Sequence, residues 1–358
     1  MRTINNFPSS SSVSIDSVLK DENKSFYNFA TGEPNLDISP YLSNGYHDTS
    51  AYNSCYYSSV RGEFGLRNWV ANGKPERAII GNGSKQLIYE ALRTVTNPYD
   101  EVVIVGPAWP SYMNMCKILN LSYRLVCGEE EPFYTPTIEQ LAGEISYYTK
   151  CVIINNPNNP TGVVYSPDYM KELLEICSCC DCFLIVDEVY KNFVYDGVFE
   201  SMQFKENVIC ISSFSKSHAI PGWRFAYAIA DEDIITAMAT LQGQIAGPPN
   251  TLIQKILYNS KLGSIVAPVD IYRSRVEELA REPFFNKYKP QAGFYFYVPI
   301  GDRWESSNKC WEEMAKTYGI VMVPGDEYGI DQTMRISIAH VEAEDIRNNI
   351  FNLQKIYI

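Results

Sequence analysis

The sequence predicts an α/β protein: a mainly parallel sheet covered on both faces, followed by a smaller α+β region. Three observations carry this. Short apolar runs alternate with amphipathic stretches from about Arg77 to Ala230, the segment after Asp231 is helix-rich to about Glu282, and a second strand-and-helix pattern closes the chain. Runs such as Cys151–Ile154 and Phe183–Val186 are apolar at every position, which suits strands buried on both faces rather than strands with one wet side.

Taken in order, the strands are expected at Ala78–Ile80, Glu101–Val105, Ser122–Val126, Cys151–Ile154, Phe183–Val186, Val208–Ile211 and Phe225–Ile229. Helices are expected between them, among them Lys85–Val95 and Pro167–Cys177, the second opened by Ser166 as cap and Pro167 in the first turn. The closing pattern gives strands at Gly293–Val298, Ile320–Val323 and Met334–Ile338, a helix near Ser307–Thr317 and a final helix from Ala343.

The chain has 358 residues, and 30 Lys+Arg against 42 Asp+Glu give a net charge of −12. That balance repels phosphate backbones and argues against nucleic-acid binding. No apolar run approaches the roughly 20 residues that span a bilayer, and the first residues lack the apolar stretch of a secretory signal, so a cytoplasmic protein without membrane contact is expected. The ten cysteines then read as reduced thiols. The cluster Cys177, Cys179, Cys180 and Cys182 has overlapping C-x-x-C spacings but no second pair and no nearby histidine, so it reads as a helix end running into a buried strand, with no metal expected.

In open α/β sheets ligands collect beyond the carboxyl ends of the strands, and the polar, glycine-bearing segments fall there. Gly81-Asn82-Gly83-Ser84-Lys85 follows a strand and opens a helix; it is either a capped turn or a phosphate-holding one. The loop from Asn155 to Gly162 holds two X-Pro bonds that make it rigid and can fix the Asn159 carboxamide toward a ligand. Asp187 ends a buried strand, where a carboxylate needs a cation or strong hydrogen bonds; an ion pair of purely structural purpose is the alternative. Lys216 stands among hydroxyl side chains after an apolar strand, with Arg224 eight positions later. Tyr112, Cys151 and Cys210 read as packing residues, and His218 as an imidazole supporting the segment around Lys216.

The segment Ser213-Phe214-Ser215-Lys216, with Arg224, Asn155–Gly162 and Asp187-Glu188-Val189-Tyr190, resembles the fold-type I, pyridoxal-phosphate-dependent aminotransferases of class I/II. The motifs run in the family's order from Gly32-Glu33-Pro34-Asn35 to Arg335. Length and the Gly-Asn-Gly-Ser segment also resemble the histidinol-phosphate branch, but Gly32–Asn35 and Trp109 look aspartate- or aromatic-like. The resemblance implies an aspartate-aminotransferase-like large domain at 46–265, a small domain from 1–45 and 266–358, and a homodimer. It implies pyridoxal 5'-phosphate as cofactor and an amino acid and a 2-oxo acid as partners in a ping-pong reaction. By position, Lys216 matches the lysine that carries the cofactor as a Schiff base and moves the proton. Asp187 matches the partner of the pyridine nitrogen, Asn159 and Tyr190 those of the phenolate oxygen, and Trp109 the stacked aromatic. Gly83, Ser84, Lys85, Ser213, Ser215 and Arg224 match the phosphate cup, and Tyr57 a tyrosine reaching the phosphate from the neighbouring subunit. Arg335 and Gly32 match the groups that hold the substrate's α-carboxylate, with Trp109 and Asn159 beside them. Lyases, decarboxylases, cyclases and oxidases share this cage, because the cofactor carries the chemistry and the pocket selects the bond broken. A noncatalytic sensor is disfavoured by Lys216 and by the roughly 30 residues before Gly32, too few for a DNA-binding module.

Overall fold

Residues 18, 25–36, 55–131, 133–260 and 269–358 are described by a computed structural model. The alternating pattern builds β1 (Tyr27–Asn28), α1 (Phe64–Val70), β2 (Ala78–Gly81), α2 (Ser84–Val95), β3 (Glu101–Val105), α3 (Pro110–Ile118), β4 (Ser122–Val126), α4 (Ile138–Glu144), β5 (Thr149–Asn155), α5 (Pro167–Cys179), β6 (Phe183–Asp187), β7 (Val208–Ser213), α6 (Phe214–Ser217) and β8 (Ala226–Ile229). Then come α7 (Glu232–Ile245), α8 (Thr251–Asn259), α9 (Val269–Ala280), α10 (Pro283–Lys287), β9 (Tyr295–Pro299), α11 (Ser307–Tyr318), β10 (Ile320–Val321), β11 (Val323–Pro324), β12 (Thr333–Ser337) and α12 (Ala343–Leu353).

Seven strands form one sheet in the order β2-β8-β7-β6-β5-β3-β4, parallel from β7 to β4 and antiparallel where β8 meets β7 and β2. Successive side chains along a strand point to opposite faces. Cys151 and Ile153 of β5 therefore pack with Leu87, Tyr112 and Met115 on one face, while Val152 and Ile154 pack with Leu141, Met170 and Leu173 on the other. Both faces are covered, as the unbroken apolar runs predicted. Ser166 accepts from the Tyr169 N–H at 3.2 Å and caps α5 behind Pro167, also as expected.

β2 runs parallel to β7 because two antiparallel pairings separate them, so β2, β3, β5, β6 and β7 all end on one edge of the sheet. Those ends are Gly81, Val105, Asn155, Asp187 and Ser213.

The closing pattern forms a three-stranded antiparallel sheet, β11-β12-β9. The expected strand Ile320–Val323 is divided. β10 pairs in parallel with β1, Met322 is buried between, and β11 turns to pair with β12. The chain changes partner at Met322, which an apolar run cannot signal. Buried Arg275 ties these pieces together: it donates to Asn35 Oδ1 (3.0 Å), the Ala339 carbonyl (3.0 Å) and Glu342 Oε1 (2.7 Å). Both expected domain boundaries, 45/46 and 265/266, lie outside the described residues.

Glu90 on α2 is fully buried; its Oε1 accepts from Gln86 at 2.8 Å and its Oε2 has no partner. Burial lifts its pKa from 4.5 to about 7, against the lowering effect of Gln86. Between those values the folded chain holds a proton that the unfolded chain has released, so stability falls as pH rises through this window and stays lower above it. Glu90→Gln should therefore melt roughly 2–4 °C above wild type at pH 8, with the difference vanishing near pH 4.5. Thermal unfolding of both proteins across this range checks it, and an equal difference at both ends would contradict it.

Candidate active site

Three of these strand ends, Asn155, Asp187 and Ser213, and the segments that follow β2 and β3 line one cavity of about 330 Å3. At the end of β7, Ser213 caps the short turn α6: its Oγ accepts from the Ser215 N–H at 3.0 Å and donates to the Phe225 carbonyl at 2.9 Å. His218 stacks on Phe214 with ring centres 4.1 Å apart and meets Ser217 Oγ through Nδ1 at 2.8 Å, which steadies the same turn. Lys216 is thereby aimed into the cavity, where Nζ donates to the Gly32 carbonyl at 2.6 Å. Burial brings its pKa down to about 8; Glu33 opposes the fall, while the charges of Arg335 and Arg224 add to it. An amine at this value is partly neutral near physiological pH, and a neutral amine is a nucleophile and a base.

Asp187 faces the same cavity from the end of β6. Its Oδ2 accepts from the Tyr112 hydroxyl at 2.7 Å and its Oδ1 from the Val189 N–H at 3.3 Å. Burial raises its pKa to about 6, and these two hydrogen bonds restrain the rise. Among the described residues it forms no ion pair; the neighbouring Glu188 does, meeting Lys191 at 3.3 Å and Ser201 at 2.8 Å. The structural ion pair thus belongs to Glu188, and Asp187 keeps an acceptor for a cation that the protein does not itself supply.

Asn155 joins two strand ends: it donates to the Asp187 carbonyl at 2.8 Å and accepts from the Asn159 N–H at 2.7 Å. The Asn159 Oδ1 in turn accepts from Arg335 at 3.1 Å. Arg335 lies on β12, its guanidinium 4.4 Å from the Tyr295 ring centre and 5.1 Å from that of Tyr328. Its second amino group donates to the Ala30 carbonyl at 2.5 Å, but its buried Nε has no partner. Tyr190 and Tyr295 share a hydroxyl–hydroxyl bond of 3.0 Å. A side chain at Gly32 would collide with the Tyr295 hydroxyl, so only glycine lets the 30–33 segment approach this closely.

At the other end, Gly83 (φ 92°) precedes α2, and no side chain caps its first turn. Ser84 and Lys85 line the cavity, and as first-turn residues their N–H groups have no acceptor within the helix. The Arg224 guanidinium packs where a Gly83 Cβ would stand, and Arg224 itself takes a left-handed backbone (φ 55°) to reach there. Ser215 lies beside them, its Oγ 2.8 Å from that of Ser213. Lys85 holds its ammonium 4.9 Å above the Trp109 ring; desolvation and the Arg224 charge lower its pKa.

A protonated ring nitrogen, an aldehyde and a phosphate thus each meet a complementary group: the unpaired Asp187 carboxylate, the depressed Lys216 amine, and the uncapped helix start with Arg224. The residues fit pyridoxal 5'-phosphate. Among the expected residues, Tyr57 alone stands well away from this constellation; it is 93% exposed. Tyr112 is a correction, because it is no mere packing residue but the hydrogen-bond donor to Asp187. Its position three residues after Trp109, one helical turn on, was the available signal. Asn155, Tyr295 and Tyr328 line the cavity without having been singled out in sequence. Cys151 and Cys210 are buried packing residues, as expected.

Residues 62–351 match the family described as aminotransferase class I and II. The chain is 32% identical over 284 residues to an aspartate aminotransferase of Bacillus sp. (strain YM-2), covering 74% of this chain and 72% of that one. It is 27% identical over 355 residues to an aspartate aminotransferase of Sulfurisphaera tokodaii, covering 92% and 89%. The fold is that of a Thermus thermophilus aspartate aminotransferase double mutant: TM-score 0.92 at 23% identity, over 99% of this chain and all of the other. A match across most of the chain, together with a cavity suited to the cofactor, makes this chain a member of the class I and II aminotransferases, a pyridoxal-phosphate-dependent enzyme that moves amino groups between amino acids and 2-oxo acids by a ping-pong route.

Proposed function

We propose that this enzyme takes its amino group from a dicarboxylic donor, glutamate or aspartate, and that it works as a cytoplasmic homodimer. The observation that carries the site assignment is Lys216, a buried amine with a pKa of about 8 sharing one cavity with an unpaired buried carboxylate. Relatives named aspartate aminotransferases support the dicarboxylic donor. None of the ten cysteines is disulfide-bonded, which suits a reducing compartment. The large unit is assigned to 46–265 and the small one to 1–45 with 266–358.

When bound, pyridoxal 5'-phosphate supplies an aldehyde that condenses with amines and an electron sink for charge developing at the substrate's Cα. Lys216 Nζ would be the group that holds the cofactor's aldehyde, and its free amine would take the proton from the substrate's Cα and return it. Asp187 holds the proton on the ring nitrogen; Tyr112, donating to Oδ2, favours the ionised carboxylate this requires. Asn159 and Tyr190 hold the phenolate oxygen. Trp109 covers the ring face. The phosphate rests on the Gly83-Ser84-Lys85 turn with Ser215 and Arg224, while Ser213 acts by capping the turn that bears Lys216. Arg335 receives the substrate α-carboxylate, its free Nε completing a two-pronged donor, with Gly32 beside it.

Only neutral Lys216 can attack the aldehyde, so cofactor uptake by the apoenzyme should slow about tenfold per pH unit below 8 and level off above it. Stopped-flow absorbance records the uptake, and borohydride should then fix the label on Lys216. A pH-independent rate, or a label on another lysine, would overturn the assignment.

Tyr57 supports the homodimer. It is exposed, as are Tyr56, Phe64 and Tyr258, and the Thr251 hydroxyl, donating to the Tyr56 carbonyl at 2.9 Å, holds its segment against α8. In the proposed dimer its hydroxyl reaches the partner's phosphate site. Tyr57→Phe should leave the dimer intact in sedimentation while cofactor dissociates faster; a fully active monomeric wild type would contradict the reading.

Discrimination among donors falls to the cavity's far end, where Lys85 offers a cation for a second carboxylate. Lys85→Met should lower kcat/KM for glutamate roughly 30- to 150-fold more than for a neutral aromatic donor, the ratio expected for one desolvated charge pair. Equal losses would assign Lys85 to the cofactor phosphate instead.

A further inference from the structure

The thiol cluster at the end of α5 plays no part in transamination, yet its geometry is specific. The helix closes through Cys180 N–H to Ile176 O (3.1 Å) and Cys182 N–H to Cys177 O (3.0 Å), with Asp181 in the left-handed region at φ 52°. This six-residue closure presses the side chains of its first and last residues together, and here both are cysteine. Cys177 and Cys182 are 0% and 1% exposed in the core that covers one face of the sheet. The closure sets the two side chains side by side in that core, and their interaction favours the thiolate of Cys182 against the opposing effect of burial, while it disfavours that of Cys177. The Lys150 charge also favours the Cys182 thiolate, while Asp181 opposes it.

We propose that Cys177 and Cys182 form an oxidisable dithiol in which Cys182 reduces a hydroperoxide and Cys177 closes a reversible disulfide with it. Among the described residues no group is arranged to hold a metal ion, and the pair is two-coordinate by construction. Exposed Cys179 and half-buried Cys180 form the turn above it, so the proposed route for hydrogen peroxide is local opening of this helix end.

In the first step the Cys182 thiolate attacks one peroxide oxygen. The O–O bond breaks, a sulfenic acid forms and hydroxide leaves, to be protonated by solvent. In the second step Cys177 sulfur attacks Cys182 sulfur, the S–O bond breaks, and the sulfenic hydroxyl departs with the Cys177 proton as water. One peroxide becomes two waters while two thiols become one disulfide. An external dithiol reverses it. A thiolate with a resolving thiol already in contact is protected from further oxidation, because the second step outruns attack by another peroxide.

The test treats holoenzyme with stoichiometric hydrogen peroxide, alkylates the remaining thiols under denaturing conditions and maps the peptides by mass spectrometry. A Cys177–Cys182 link, lighter by two hydrogens and restored by dithiothreitol, is expected as the main product. Cys177→Ala should lose the link and leave a sulfenic acid on Cys182 that dimedone traps. Cys151 also lies near both thiols, so it is the rival partner. A Cys151–Cys182 link, oxidation confined to Cys55, Cys179 and Cys180, or no reaction at the pair would each overturn the proposal. The wild-type map decides the matter even where the variant fails to fold.

Discussion

Asp187 ends a strand whose other residues, Phe183 to Val186, are all apolar, and it is buried at the wall of the cavity. A carboxylate so placed costs several kcal/mol unless a cation or strong donors compensate it. Tyr112 and the Val189 N–H supply part of that compensation, and they leave the carboxyl poised at about 6 rather than locked as an anion. A resident arginine or lysine would stabilise the fold more, but it would occupy the place a ring nitrogen needs. Lys216 donates its hydrogen bond to the Gly32 carbonyl and not to Asp187, so the two charges interact across the cavity without forming an ion pair.

That separation rests on the sheet. Parallel strands deliver Asn155, Asp187 and Ser213 to one edge in register: Asn155 stands opposite Asp187, and Asp187 opposite Ile211, two residues before Ser213. The loops beyond those ends need not find each other through a search of conformations; the register has already set their spacing. Arg335 arrives from a different sheet, where β12 pairs it with Tyr297 and Val323, and its guanidinium is held by cation–π contact with Tyr295 and Tyr328 and by hydrogen bonds to Asn159 and Ala30.

This contrast explains what was legible in the sequence. β3 and β4 match the expected strands to the residue, and Lys216, Asp187 and Asn159, which share one cavity with Arg335, each lie at the end of an apolar run or within a dense local motif; Arg335 is picked out by the resemblance alone. Tyr112 reads as packing because, apart from its spacing from Trp109, an apolar helix face does not show that its one hydroxyl meets a carboxylate 75 residues away. Tyr295 and its bond to Tyr190 span 105 residues and leave no local pattern. The break at Met322 was invisible for the same reason: strand propensity reports that a segment is extended, not with whom it pairs.

The charge of the whole chain and the charge of its cavity have opposite signs. With a net −12, the surface as a whole repels anions. Inside, Lys85, Lys216 and Arg335 line the cavity, with Arg224 at its rim, against Asp187 and Glu33. In a cleft walled by protein these charges are screened less than on an open surface, so the local field dominates at short range. The cations are spread through the cavity: Arg224 stands at the α2 end against Gly83, Arg335 at the Tyr295 end, and Lys85 between Arg224 and the Trp109 face. Desolvation and then the Arg224 charge lower the Lys85 pKa, so an anion bound between the two would relieve their repulsion and, by binding the folded state, stabilise it.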